Sequence, residues 1–200
     1  MAPTVTYDLS SFDLQDNDRS IDLKNFNLEV LNAKYEKSPT NSISVHKLFL
    51  SEGNCTPKVF RMKFDGRICT PGINGRDFGS GKTKKTVFSL GIIPDDKVLE
   101  TFSLLEENTC ASTAPDFELT SILKNDRMYL KLKLDGKQFQ AKSNIPLSPK
   151  KNGCGVSYGD SVTVIAEASL YVNIAESKVG ITLNVMKLDF AVAEVDDDEE

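Results

Sequence analysis

The chain has 200 residues, 40% of them hydrophobic, which is enough to bury one substantial core, and it carries a formal net charge of −5. No apolar run reaches the ~18 residues that a membrane-spanning helix needs, and Met1-Ala2-Pro3-Thr4-Val5-Thr6 has neither the basic start nor the apolar stretch of a secretion signal. The acidity is concentrated at one end: Glu194, Asp196, Asp197, Asp198, Glu199 and Glu200 supply six of the 29 carboxylates, and the remaining 23 face 24 Lys and Arg, a net of +1 that leaves a polyanionic partner open.

In chain order, residues 1–40 are rich in Asp, Asn and Ser, with apolar residues such as Ile21, Leu23, Phe26, Leu28 and Val30 spaced near two, and they read as short edge strands or an arm. Strands are predicted from Ser42 to Leu50 and from Val59 to Phe64, where Phe60, Met62 and Phe64 alternate with Val59, Arg61 and Lys63. Between Asp65 and Thr83, six breakers (Gly66, Pro71, Gly72, Gly75, Gly79, Gly81) predict a long basic loop. Thr86, Phe88 and Leu90 mark the next strand. Pro94-Asp95-Asp96 then opens a helix with Val98, Leu99, Phe102 and Leu105 on one face and Asp95 at its N-cap, followed by a linker from Ala111 to Pro115.

The clearest strand is Met128 to Leu134, in which Met128, Leu130, Leu132 and Leu134 alternate with Tyr129, Lys131 and Lys133; Asp135-Gly136 then signals a hairpin returning through Lys137, Phe139 and Ala141. A second breaker cluster, residues 146–159, carries Lys150, Lys151 and Tyr158. The last third reads as two long strands. Even positions from Val162 to Ile174 are apolar, then odd positions from Val179 to Val185, and at Val185-Met186 the parity slips by one, the mark of a β-bulge. Long bent strands with one helix favour a small closed barrel over a flat sheet.

Catalytic constellations are absent from this pattern. Gly79-Ser80-Gly81-Lys82-Thr83 lacks the glycine five residues before Gly81 that a phosphate loop needs, since Arg76 stands there, and the residues after it read as strand rather than helix. His46 is the one histidine and has no local acidic partner. The widely spaced Cys55, Cys69, Cys110 and Cys154 form no CxxC pair and read as thiols of a protein in an intracellular, reducing compartment. No enzyme activity, metal or cofactor is expected.

Binding is better represented. An outward face of Tyr129, Lys131 and Lys133 combines a ring for base stacking with cations for phosphates, and Arg61 and Lys63 repeat the cationic part on another strand. The segment from Lys58 to Lys85 holds eight Lys and Arg against Asp65 and Asp77, so Arg76, Lys82, Lys84 and Lys85 join the candidate site, with Lys150, Lys151 and Tyr158 from the second loop. The consecutive carboxylates Asp196, Asp197, Asp198, Glu199 and Glu200 are placed to compete with nucleic acid for that cationic surface.

Three segments in order carry a family resemblance: Lys84-Lys85-Thr86-Val87-Phe88-Ser89-Leu90-Gly91-Ile92-Ile93-Pro94-Asp95-Asp96 continuing to Glu107, the hairpin from Gly159-Asp160-Ser161-Val162 to Asn184-Val185, and the acidic end. Over roughly residues 84–200 the chain resembles the single-stranded-DNA-binding proteins of T-odd-type phages and related double-stranded DNA viruses. That resemblance implies an OB-fold over residues 41–193, a closed five-stranded barrel with one helix and long loops, in a mainly β protein. It further implies coating of single-stranded DNA in replication or recombination, and a tail at residues 194–200 that docks replication partners such as polymerase or helicase and contacts a second copy of the chain. Tails of that family tend to finish on an aromatic residue, whereas this one ends on Glu200, which leaves it the electrostatic role. Two other classes fit the same pattern, a β-sandwich structural or virion protein and a nucleotide-processing enzyme built on the Gly-rich loop.

Overall fold

The computed structural model describes residues 5–8, 21–22, 43–51, 58–59, 61–80, 85–113, 116–149 and 156–191. Its elements are β1 (Val5–Asp8), β2 (Ile21–Asp22), β3 (Ile43–Ser51), β4 (Lys58–Val59), β5 (Arg61–Ile68), β6 (Asn74–Phe78), β7 (Lys85–Pro94), α1 (Asp96–Thr113), β8 (Glu118–Leu119), β9 (Leu123–Lys124), β10 (Arg127–Leu132), β11 (Leu134–Asp135), β12 (Gln138–Phe139), β13 (Lys142–Ser143), β14 (Ser161–Asn173) and β15 (Lys178–Phe190). The protein is mainly β, with one helix among the described residues.

The long strands β14 and β15 form the antiparallel spine. Their register shifts once: Ile165 pairs with Lys187 but Ala166 pairs with Val185, so Met186 is the extra residue of a bulge. This is the parity slip at Val185-Met186, and it lets Val185, Leu188 and Phe190 all face inward while Met186 turns out. On its other edge β14 pairs with β5 along residues 161–167 and with β3 along 169–173. From β5 the sheet continues through β7 to β10, every ladder antiparallel. β15 meanwhile takes β8 and β13 in short parallel ladders. The β10 end of the path approaches β15, but no ladder joins them among the described residues, so hydrogen bonding leaves the sheet open.

Inward residues of five strands make one core: Met62, Phe64 and Ile68; Phe88, Leu90 and Ile92; Met128, Leu130 and Leu132; and the alternate apolar positions of β14 and β15. Helix α1 closes it with Val98, Phe102 and Leu105, all fully buried, and burial of each such side chain is worth about 1.5–3 kcal/mol. Asp95 precedes the helix and its carbonyl accepts from the N–H of Val98 and Leu99, as an N-cap carbonyl does.

Two sequence readings are corrected. The span from Asp65 to Thr83 is not one long loop: β5 runs through Asp65 and Gly66, a short turn follows, and β6 pairs with β7. Two of the expected breakers, Gly66 and Gly75, are instead positions of close approach, while Gly72 and Gly79 do take the positive φ of turn residues. A Cβ on Gly66 would stand 2.8 Å from the carbonyl oxygen of Ile93, and one on Gly75 would stand 2.9 Å from the ring of Phe88. The helix also runs past Glu107 to Thr113, through the start of the expected linker, because Cys110 is buried in phase with Phe102 and Glu106 and tertiary packing overrides the weak helix formers there. A smaller shift affects the hairpin after β10: Asp135 pairs with Gln138, so the two turn residues are Gly136 and Lys137.

Candidate nucleic-acid interface

The strand of Tyr129 and Lys131 begins at a tight turn. Asn125 and Asp126 both take positive φ, 50° and 58°, the conformation of a two-residue hairpin turn that these short polar side chains tolerate, and β10 follows at once. Along β10 the alternation is strict, with Met128, Leu130 and Leu132 buried and Arg127, Tyr129 and Lys131 exposed.

Register then decides what the outward residues meet. Tyr129 stands opposite Gly91 and Lys131 opposite Ser89 on β7. Beyond β7, Ser89 faces Asn74, Val87 faces Arg76 and Lys85 faces Phe78 on β6, while Ile93 faces Arg67 on β5. One continuous outer face therefore carries Arg67, Arg76, Lys85, Arg127 and Lys131 with the rings of Tyr129 and Phe78. Lys133 extends it in the same alternation, exposed at the end of β10. No Asp or Glu occupies an outward position of β6, β7 or β10. Asp77 points to the opposite side, where its carboxylate accepts from the Thr86 hydroxyl at 2.8 Å.

At the centre of this face the Tyr129 ring lies against Gly91. A Cβ there would come within 3.3 Å of the ring, 3.1 Å of the Cys69 sulfur and 2.5 Å of the Thr70 methyl. The Gly91 N–H donates to the Thr70 hydroxyl oxygen at 3.1 Å, the Thr70 hydroxyl donates to the Gly72 carbonyl at 2.9 Å, and the Cys69 N–H donates to the Gly91 carbonyl at 2.9 Å. These bonds fix the turn after β5 beside the ring, with Thr70 and Cys69 against Gly91. Burial pushes the Cys69 thiol up, and the nearby Arg127 guanidinium opposes that rise.

The other expected residues divide. Arg61 faces outward, but its Nε and Nη2 both donate to Glu167 Oε1, at 3.2 and 3.1 Å, and Glu167 is only 8% exposed. Arg61 therefore answers a buried carboxylate, six residues along β5 from Arg67, or about 20 Å. Lys63 stands between them, opposite Ile165. Tyr158 is 70% exposed on a turn held to the end of β5, where the Gly159 N–H donates to the Ile68 carbonyl and the Ile68 N–H to the Asp160 carbonyl. Lys82, Lys84, Lys150, Lys151 and the tail from Asp196 to Glu200 lie outside the described residues.

Sequence reasoning missed Arg67, Arg127 and Phe78. Arg127 was readable from the turn signal Asn125-Asp126 before a strand, and Arg67 from continuing the Arg61, Lys63 alternation through Gly66. Phe78 carried no local signal, because β6 is defined by its partner and not by its own pattern.

One polar cluster lies away from this face. Glu106 on α1 is 1% exposed and accepts from the Ser121 hydroxyl and, at 2.9 Å, from the Ile122 N–H, while the Leu123 N–H donates to the Ser121 oxygen. These bonds tie the helix to the segment that enters the β9–β10 hairpin. Burial holds the Glu106 carboxyl above its ordinary range despite both hydrogen bonds. Burial and the Glu106 carboxylate together push the Cys110 thiol up to about 12, which keeps it protonated and inert at neutral pH. The Gly-rich segment after Phe78 joins β6 to β7, two antiparallel strands, whereas a phosphate loop joins a strand to a helix. Among the described residues no group of three or more His, Cys, Asp or Glu is arranged to hold a metal ion, and no helix is long and apolar enough to cross a membrane.

No family model, curated protein or solved structure matches the chain.

Proposed function

We propose that this protein is a sequence-independent single-stranded-DNA-binding protein of DNA replication or recombination, with no catalytic activity of its own. The observation that carries the reading is the outer face of β10, β7 and β6: an exposed ring at Tyr129, 41% accessible and seated on a glycine, on a face that also carries Arg76, Arg127 and Lys131, with Arg67 of β5 at its edge and no outward carboxylate on those three strands. Rings accept any base by stacking, at roughly 1–3 kcal/mol per base, and cations hold phosphates without reading sequence.

We further infer that the architecture is an OB-fold barrel. The order β15–β14–β5–β7–β10, with β10 brought back beside β15, supports that reading, since a five-stranded barrel needs only the β10–β15 seam to close. Competition by the acidic tail, argued from its consecutive carboxylates, and an intracellular location, argued from the cysteines, belong to the same proposal, as do docking of polymerase or helicase, self-association and a viral setting, which follow from the resemblance.

The test is a mobility-shift or filter-binding titration with a thirty-nucleotide oligo-dT at increasing salt. Binding that weakens steeply from about 50 to about 200 mM salt is the expected result. An absence of binding, or a flat salt response, overturns the reading in favour of a structural β protein whose faces serve protein contacts.

A further inference from the structure

Phe78 is 54% exposed at the end of β6, and nothing in the expected site accounts for it. It stands directly opposite Lys85, two residues from the exposed Arg76, on the same face as Tyr129. The two rings flank β7, Tyr129 opposite Gly91 on one edge and Phe78 opposite Lys85 on the other, six residues apart along that strand. At ~3.3 Å per residue this separates them by about 20 Å. Lys131, Ser89, Asn74, Val87 and Arg76 pave the interval, a run of cations and uncharged side chains between two rings.

We infer that Phe78 is a second base-stacking platform, and that the bound single strand runs lengthwise along β7 from Tyr129 to Phe78 rather than toward Arg61 and Lys63. This rests on the single-stranded-DNA reading and adds its path and length. About 20 Å corresponds to six nucleotide steps at the ~3.4 Å stacked rise, and to about three if the backbone is drawn out to twice that. Both rings are therefore engaged only by oligonucleotides of at least about four to seven residues, and shorter ones reach one ring alone. The charge pattern favours nucleic acid over an apolar partner, because an exposed ring beside Arg76 and Lys85 is a poor hydrophobic contact but suits a base between phosphates.

The experiment measures affinities of the full chain, Phe78→Ala, Phe78→Trp and Tyr129→Ala for oligo-dT of three, five, eight and twelve nucleotides. Phe78 is exposed, so its variants keep the fold, which thermal melting verifies. The expected result is that Phe78→Ala equals the parent on the three-nucleotide strand and falls about tenfold behind on eight and twelve, with Phe78→Trp restoring the loss and Tyr129→Ala weakened at every length. If the parent binds and Tyr129→Ala is weakened while Phe78→Ala tracks the parent at all lengths, the path along β7 is wrong and Phe78 serves another contact. If the parent binds no oligonucleotide, the single-stranded-DNA reading fails and takes this inference with it.

Discussion

The ring of Tyr129 rests on Gly91, its direct partner across the β10–β7 ladder, with the Gly91 position so enclosed that a Cβ would meet Thr70, Cys69 and the ring at 2.5, 3.1 and 3.3 Å. A glycine under an aromatic side chain on a sheet surface gives the ring an apolar seat that no other residue leaves room for. Gly91→Val is therefore expected to displace both the Thr70 side chain and the ring. The cost should be about 1–3 kcal/mol in urea unfolding, with a loss of oligo-dT affinity that Tyr129→Phe does not show. A Gly91→Val protein with parental affinity would separate the ring from binding.

Lys131 and Arg61 are both outward cations, but they answer different groups. Lys131→Ala should lower the slope of log affinity against log salt by about 0.7, the value for one phosphate contact on a single strand, and leave stability within about 0.5 kcal/mol of the parent. The salt slope of the variant, measured with a twelve-nucleotide strand, checks this.

Arg61→Ala should do the reverse. It leaves the Glu167 carboxylate buried without its guanidinium, at a cost of about 1–2 kcal/mol once the solvent reaching the partly exposed Arg61 is allowed for, while the salt slope stays parental. A shallower slope in Arg61→Ala would return Arg61 to the interface.

Glu106 makes stability depend on pH in a known direction. Its carboxyl is held above the ordinary value in the folded protein, so between the unfolded and folded values the native state binds more protons than the unfolded state. Its contribution to stability is then greatest at low pH and is lost as pH rises from about 4.5 through the folded value. Glu106→Gln cannot ionise, so the variant should gain on the parent across that rise. Denaturant midpoints of both proteins from pH 4.5 to 8 measure the difference, and parallel pH profiles would show that Glu106 does not titrate in that window.

Deleting residues 194–200 removes six carboxylates and should tighten oligo-dT binding, most strongly at low salt where competition between like polyanions is greatest. Unchanged affinity at about 50 mM salt would reduce the tail to a solubility element.

Much of the framework was legible because it is written in alternation. Met128, Leu130 and Leu132 declared their face, as did Met62 and Phe64, and the parity slip at Val185-Met186 located the bulge to the residue. The glycines misled for a physical reason: Gly66 and Gly75 are needed for contact with Ile93 and Phe88, which lie twenty-seven and thirteen residues away in sequence, so composition alone read them as chain breakers. The helix end failed similarly, since Cys110 is held by packing and not by propensity.

The sequence by itself determined which side chains point inward and which outward, because a period of two is a property of each strand taken alone. Only the tertiary structure decided their neighbours. Register seated Tyr129 on Gly91, set Phe78 beside Lys85 and gave Arg61 to Glu167, and register arises from ladders between distant segments. Two outward cations of equal appearance in the chain, Arg61 and Lys131, thus part company: one neutralises a buried acid, and the other stands on a face where no carboxylate among the described residues answers it.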